Sequence, residues 1–217
     1  MNLFGVFGAG GCGRGVMPLV RPMLPAFPLP CKLVFVDDRP VSTVVNGQDC
    51  ITYDDFLAYP ATSRRMVLAV ANGRQRELLA NRCEADGVGF FDVRAPSMVQ
   101  MDDVVVGIGA VLSPFVTLTS NVRIGKHFHA NLYSYVEHDC VIGDYVTFAP
   151  GVMCNGNVVI EDHVFVGAGA MLRQGGSSVP LVIGCGATVG MGAVVTRSIA
   201  AGSTVAGNPA RLMARRK

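Results

Sequence analysis

From Val106 onward the chain places an apolar residue at every sixth position: Val106, Leu112, Leu118, Ile124, Ala130, Val136, Ile142, Phe148, Cys154, Ile160, Val166 and Leu172, twelve in succession. The next position in each frame is usually small or polar, as at Gly107, Ser113, Thr119, Gly125, Asn131, Glu137 and Gly143. The fifth position is small or aliphatic, with one Phe: Ala110, Val116, Val122, Phe128, Ser134, Cys140, Val146, Val152, Val158, Val164 and Ala170. An α-helix repeats every 3.6 residues and a plain strand every two, so neither yields this period. A triangular solenoid does. Each hexapeptide forms one flat face, three faces close a coil, and stacked coils pair as parallel sheets around columns of apolar side chains. The pattern therefore predicts a left-handed parallel β-helix from about Val104 to Val195, with the small residue beside each aliphatic one turning the corner. A β-sandwich with a chance period is the competing reading, and twelve in-frame matches argue against it.

The frame breaks after Leu172. Gly175-Gly176-Ser177-Ser178-Val179-Pro180 has the composition of a loop pushed out of the coil. The period resumes at Ile183, Val189 and Val195, and the segment Gly202 to Arg211 is expected to cap the prism. Arg215, Arg216 and Lys217 form a basic end.

The first hundred residues follow a different rule. Strands are expected at Leu3 to Phe7, Lys32 to Val36, Met66 to Val70 and Gly89 to Val93, with a helix from Arg74 to Ala85. Strand alternating with helix implies a small parallel sheet of Rossmann type. The chain thus divides into a Rossmann-like domain over residues 1–98 and a β-helix domain over residues 99–217. Gly8-Ala9-Gly10-Gly11-Cys12-Gly13 follows the first strand and matches G-x-G-x-x-G, and Asp37 closes the next strand 24 positions beyond Gly13. Glycines there let the backbone approach a phosphate, and the acidic residues Asp37 and Asp38 suit a ribose or a base. A tight strand–helix turn without a ligand is the alternative. Pro18 is compatible with a first helical turn, whereas Pro22, Pro25, Pro28 and Pro30 are not compatible with a regular helix. A short helix followed by an irregular connection is expected.

Composition narrows the function. A net charge of +2 over 217 residues argues against a general nucleic-acid binder. No apolar run reaches the ~18 residues of a membrane span. The N-terminus lacks a basic region and a cleavage site, so it is read as a strand and not as a signal peptide. Seven cysteines, an odd number without a C-x-x-C pair, fit reduced thiols in a cytoplasm better than disulfides or a zinc site.

The chemistry concentrates at Tyr135-Val136-Glu137-His138-Asp139-Cys140. His138 lies off the apolar columns, so its imidazole is expected to face outward. One coil further on lies Gly156, whose backbone N–H is expected to be accessible beside the ring. A general base next to an amide donor suits acyl transfer, the base taking a proton from the nucleophile and the donor stabilising an oxyanion. Asp139 is placed to orient the ring. His127 and His129 flank Phe128 and are read as decorating a turn, and His163 as part of a polar corner. A zinc site of shared histidines, as in solenoid carbonic anhydrases, leaves the Gly-rich unit without a use. Cys140 and Cys154 occupy core columns, which makes them poor nucleophiles.

Taken together, Gly8 to Gly13, Val36-Asp37-Asp38, Val136 to Gly143, Gly167-Ala168-Gly169-Ala170 and Gly207-Asn208-Pro209-Ala210-Arg211 resemble the bacterial hexapeptide-repeat sugar acyltransferases. Members of that family N-acetylate nucleotide-linked amino sugars, particularly 4-amino-4,6-dideoxy sugars used in surface glycans, and the sialic-acid O-acetyltransferase-like proteins share the layout. The resemblance implies an acetyl-CoA-dependent N-acetyltransferase acting on a nucleotide-linked amino sugar, and a homotrimer with active sites between neighbouring β-helices; with the cysteine usage above, a cytoplasmic enzyme without a metal is expected. It implies that His138 is the general base assisted by Asp139, and that the Gly156 amide contacts the thioester oxygen. It further implies acetyl-CoA near Thr147, Ala168 and Met191, and the nucleotide sugar over Gly11, Cys12, Asp37, Asp38 and Gly73. Two positions depart from the family's usual residues: Cys12 and Thr147 stand where members often carry His. Sugar O-acetylation, nucleotide-sugar binding without turnover, and dinucleotide oxidoreduction are the competing functions.

Overall fold

The computed structural model describes residues 1–26 and 30–213. The chain forms two compact units, one of Met1–Ala71 with Gln75–Val93, the other of Asn72–Arg74 with Arg94 onward.

In the first unit, strand β1 (Asn2–Phe7) is followed by helix α1 (Gly11–Val20), β2 (Cys31–Val36), the hairpin β3 (Val44–Val45) and β4 (Gln48–Ile51), α2 (Tyr53–Ala58), β5 (Ser63–Leu68), α3 (Gly73–Ala85, whose first two residues belong to the second unit) and β6 (Gly89–Phe90). The sheet order is β3-β4-β2-β1-β5-β6, and all pairs except the hairpin are parallel. Strand β1 is central and nearly all apolar, with Leu3, Phe4, Val6 and Phe7 buried, as a parallel strand covered on both faces requires. The expected strands and helix are present, with β5 ending at Leu68 and β6 at Phe90. Pro18 sits beyond the first turn of α1, and a 3₁₀ segment takes over at Arg21–Ala26. Pro28 and the basic end at Arg215, Arg216 and Lys217 lie outside the described residues.

The second unit is a left-handed parallel β-helix. Its three faces are three sheets whose strands recur in turn along the chain, beginning at Val93–Arg94, Val99–Gln100 and Val104–Val106. The regular register is 18 residues: Ala130 pairs with Phe148, Val136 with Cys154, and Ile142 with Ile160. From Leu112 to Leu172 every sixth residue is buried, and so is every fifth-position residue from Ala110 to Ala170. Ile160 then pairs with Ile183, where an uninterrupted register would reach Ser178. The loop around Gly175 to Pro180 is thus an insertion that leaves the columns intact. At the far end, Arg211–Leu212 folds back antiparallel on Thr204–Ala206 and closes the face.

The corners are built differently from the sequence expectation. The left-handed residue lies two positions beyond the small one, at Asp103, Gly109, Phe115, Asn121, His127, Tyr133, Asp139, Tyr145, Gly151, Asn157, His163 and Gly169. The small residue serves close approach between coils instead. A Cβ on Gly143 would lie 2.8 Å from the Asp162 amide nitrogen and 2.9 Å from the Glu161 carbonyl carbon.

Candidate active site

His138 stands where the Tyr135–Val136 face turns into the Val141–Ile142 face. Val136 and Cys140 point into the core and are essentially inaccessible, which turns the intervening side chains outward. The imidazole keeps 45% of its surface exposed. Its Nδ1 lies 2.8 Å from Asp139 Oδ2. A carboxylate only accepts, so Nδ1 carries the proton and Nε2 presents the basic lone pair. Asp139 is itself the left-handed corner residue, with φ 58°. Asp tolerates that conformation better than most residues, so one side chain turns the chain and orients the ring. The other Asp139 oxygen, Oδ1, accepts from Asn121 Nδ2 at 3.2 Å. Asn121, Asp139 and His138 form a hydrogen-bonded row across two coils.

Electrostatics follow from this row. The bond to Asp139 raises the His138 pKa above its ordinary 6.5, with Glu137 adding in the same direction. The Asp139 carboxyl is lowered by His138 and then Asn121.

Gly156 lies against the far edge of the imidazole. A Cβ there would come within 2.6 Å of both Cε1 and Nε2. Only glycine leaves the ring its position. The Gly156 amide is not open as expected, because it donates to Glu137 Oε2 at 3.2 Å. Carboxylate caps of corner amides recur in this prism, and Glu137 supplies this one. The inserted loop starts directly above, with the Gly175 amide donating to the Gly156 carbonyl at 2.9 Å.

The remaining expected residues are distributed over the two units. Ala168 and Met191 stack on a different corner, linked through the Gly192 amide and the Ala168 carbonyl at 2.8 Å, and Met191 is 80% exposed. Thr147 is buried on the face that leads to that corner, paired with His129 and Phe165. A single chain therefore unites His138, Asp139 and Gly156 and leaves these three elsewhere. Gly73 packs on the β-helix, where a Cβ would clash with the Tyr145 carbonyl. His127 and His163 sandwich the Tyr145 ring at centroid separations of 5.2 and 5.5 Å. His127 is fully buried, so it does more than decorate a turn. Among the described residues no group of three His, Cys, Asp or Glu side chains is arranged to hold a metal.

In the first unit the Gly-rich loop makes a tight turn from β1 into α1. Gly8 has φ +100, and a Cβ on Gly13 would strike the Gly8 carbonyl, so these two glycines make the turn and the close helix–strand approach. Gly10 and Gly11 have nothing within 4 Å of a Cβ position and leave the N-terminus of α1 open. Cys12 is exposed beside them. Asp37 Oδ2 accepts from the Ala9 amide at 3.2 Å and Oδ1 from the Arg39 amide at 3.0 Å, which ties the loop to the end of β2. Asp38 pairs with Arg82 at 2.8 Å, and that guanidinium lies 4.0 Å from the Tyr53 ring centroid.

An outward imidazole with its proton-bearing nitrogen fixed, a glycine packed against its far edge and a Gly-rich loop on a parallel sheet fit a hexapeptide-repeat acyltransferase. Comparison with known proteins agrees. The chain is 47% identical over 219 residues to the GDP-perosamine N-acetyltransferase of Escherichia coli O157:H7, covering 99% of this chain and 98% of that protein. Its structure superposes on WeeI from Acinetobacter baumannii AYE with TM-score 0.95 and 51% identity, covering 98% and 100% of the two chains. It also superposes on the acetyltransferase domain of PglB from Neisseria gonorrhoeae FA1090, solved with acetyl coenzyme A, with TM-score 0.85 and 29% identity over 97% and 98%. No protein-family model matches the chain. The chain belongs to the GDP-perosamine/WeeI/PglB-like family of hexapeptide-repeat sugar N-acetyltransferases, and it is an acetyl-CoA-dependent acyltransferase.

Sequence reasoning missed Asn121 and Glu137 as participants. The register held the signal for the first, since Asn121 is 18 residues before Asp139 and so lies beneath it. The second is signalled by Glu161, which caps the Cys185 amide at the equivalent position of another corner.

Proposed function

We propose that this protein transfers the acetyl group of acetyl-CoA to the amino group of GDP-perosamine. The observation that carries the reading is the His138–Asp139 pair, which leaves Nε2 as a base against Gly156, in a chain nearly half identical to a GDP-perosamine N-acetyltransferase along almost its whole length. In this reading Asp139 holds the ring, Nε2 takes a proton from the sugar's amino group as it attacks the thioester carbon, and the Gly156 amide donates to the thioester oxygen. The CoA thiolate leaves and takes up a proton. Fixing the base and the donor beforehand is what makes the arrangement effective.

Gly11, Cys12, Asp37 and Asp38 hold the nucleotide sugar, with Gly73 as a further contact. The open glycines at the start of α1 suit a diphosphate. Thr147, Ala168 and Met191 line the acetyl-CoA path. Because those three do not share a corner with His138 in one chain, the acyl-donor site needs a neighbouring β-helix, which supports a homotrimer. No helix among the described residues is long and apolar enough to cross a membrane. None of the seven cysteines forms a disulfide, which accords with a reducing compartment such as the cytoplasm.

The test is to mix the protein with acetyl-CoA and GDP-perosamine and follow thiol release and product mass. Turnover with GDP-perosamine, and none with a GDP-sugar bearing a hydroxyl in place of the amine, supports the reading. Acetylation of the hydroxyl sugar alone would replace it with O-acetylation.

A further inference from the structure

A parallel β-helix leaves backbone donors at its corners that the ladder does not satisfy, and buried or half-buried donors need partners. Here carboxylates supply them. Asp144 Oδ1 accepts from the Lys126 amide at 2.8 Å, Asp162 Oδ1 from the Asp144 amide at 2.8 Å, and Glu161 Oε2 from the Cys185 amide at 2.7 Å. These are ordinary lengths for a charge-assisted bond. Glu137 occupies the same kind of position as Glu161, immediately after a core-column residue, and accepts from the Gly156 amide one coil above. Its bond is longer, at 3.2 Å. It is the longest cap of the set, and the amide it holds belongs to the glycine packed against the His138 ring.

The Gly156 N–H cannot serve Glu137 and a thioester oxygen equally. A carboxylate left beside an oxygen that gains negative charge would repel it. We propose that Glu137 is a resident ligand of the Gly156 amide that the acetyl-CoA carbonyl displaces, making Glu137 a positioning residue that sets the affinity for the acyl donor. The proposal rests on the reading above, in which that amide meets the thioester. The prism's structural cap is thereby turned into an exchangeable one at a single corner. Before the acyl donor arrives, the cap keeps a backbone donor satisfied. Once displaced, the carboxylate lies away from the amide and the donor points at the reacting carbonyl.

The carbonyl-specific part of binding isolates this effect. Acetyl-CoA and S-ethyl-CoA, a thioether without the carbonyl, are titrated calorimetrically into the full chain, as wild type and as Glu137→Ala. Removing a negative charge strengthens both anionic ligands alike, so the ratio of the two affinities is the readout. The account expects the ratio to rise about tenfold in favour of acetyl-CoA, the scale of a competing hydrogen bond to a charged group. Glu137→Gln, which keeps the shape with a neutral acceptor, should give a smaller rise. Glu161→Ala removes the corresponding cap at another corner and should leave the ratio unchanged. An unchanged ratio in both Glu137 variants, or an equal rise in Glu161→Ala, overturns the proposal. The ratio is measured without turnover, so absence of the acetyltransferase reaction in the wild type would overturn the proposed function separately.

Discussion

Gly156 and His138, one coil apart, are in contact through a space that admits no β-carbon: an added Cβ on Gly156 would lie 2.6 Å from Nε2 and Cε1 of the ring. The β-helix register creates this contact, because residues 18 positions apart stack directly on one another. The proposed base and the glycine beside it are thereby fixed to each other by the scaffold and not by a loop.

Gly156→Ala therefore displaces the imidazole and leaves the prism standing, since Gly156 φ is not in the left-handed region. Its kcat should fall by about a hundredfold or more, in line with removal of a positioned base. The midpoint of urea unfolding should move little. Steady-state kinetics alongside a denaturation curve separates the two. A large loss of stability with normal activity in the folded fraction would contradict the contact.

The pH dependence follows from the charge row. The proposed mechanism needs His138 neutral, and the neighbouring Asp139 raises its pKa above 6.5. Activity should therefore rise with pH through a midpoint above that value. Asp139→Asn removes the main cause of the shift, so the acid limb of the kcat/KM profile should move to lower pH while kcat drops roughly tenfold, because the base remains but is less well oriented. An acid limb that stays in place would mean that another group titrates.

Two substitutions probe the prism itself. Phe148→Ala empties a fully buried column position that meets Phe128 edge-on at 5.2 Å, and should cost about 3–5 kcal/mol. Gly143→Ala forces a Cβ against the backbone of the next coil and should cost at least about 2 kcal/mol. Chemical denaturation measures both. A neutral Gly143→Ala would show that coil spacing tolerates a methyl group and that corner glycines are not spacing devices.

Much of this was legible in the sequence. The six-residue period specified the columns from Leu112 to Leu172 and placed Gly156 above His138, because side-chain direction in a regular solenoid is fixed by residue number alone. The corner mechanics were not legible from the period. Gly143 and Asp139 both mark turns, and only backbone angles show that the first allows close approach while the second adopts the left-handed conformation. The hairpin of β3 and β4 was missed because its first strand is two residues long and exposed, although Asn46-Gly47 between them, both at positive φ, is a strong turn signal. Glu137 does not stand out in the sequence, because its partner is a backbone amide 19 positions away. Its role depends on an interaction that no residue type advertises.

The central claim is that His138 is the base for acetyl transfer to a nucleotide-linked amino sugar. The most direct measurement compares wild type with His138→Asn for acetyl-CoA-dependent conversion of GDP-perosamine, read by product mass, with acetyl-CoA binding checked in both. The account predicts conversion by the wild type and a loss of about a hundredfold or more in kcat for the variant with acetyl-CoA binding retained. A His138→Asn variant that turns over at the wild-type rate would contradict it.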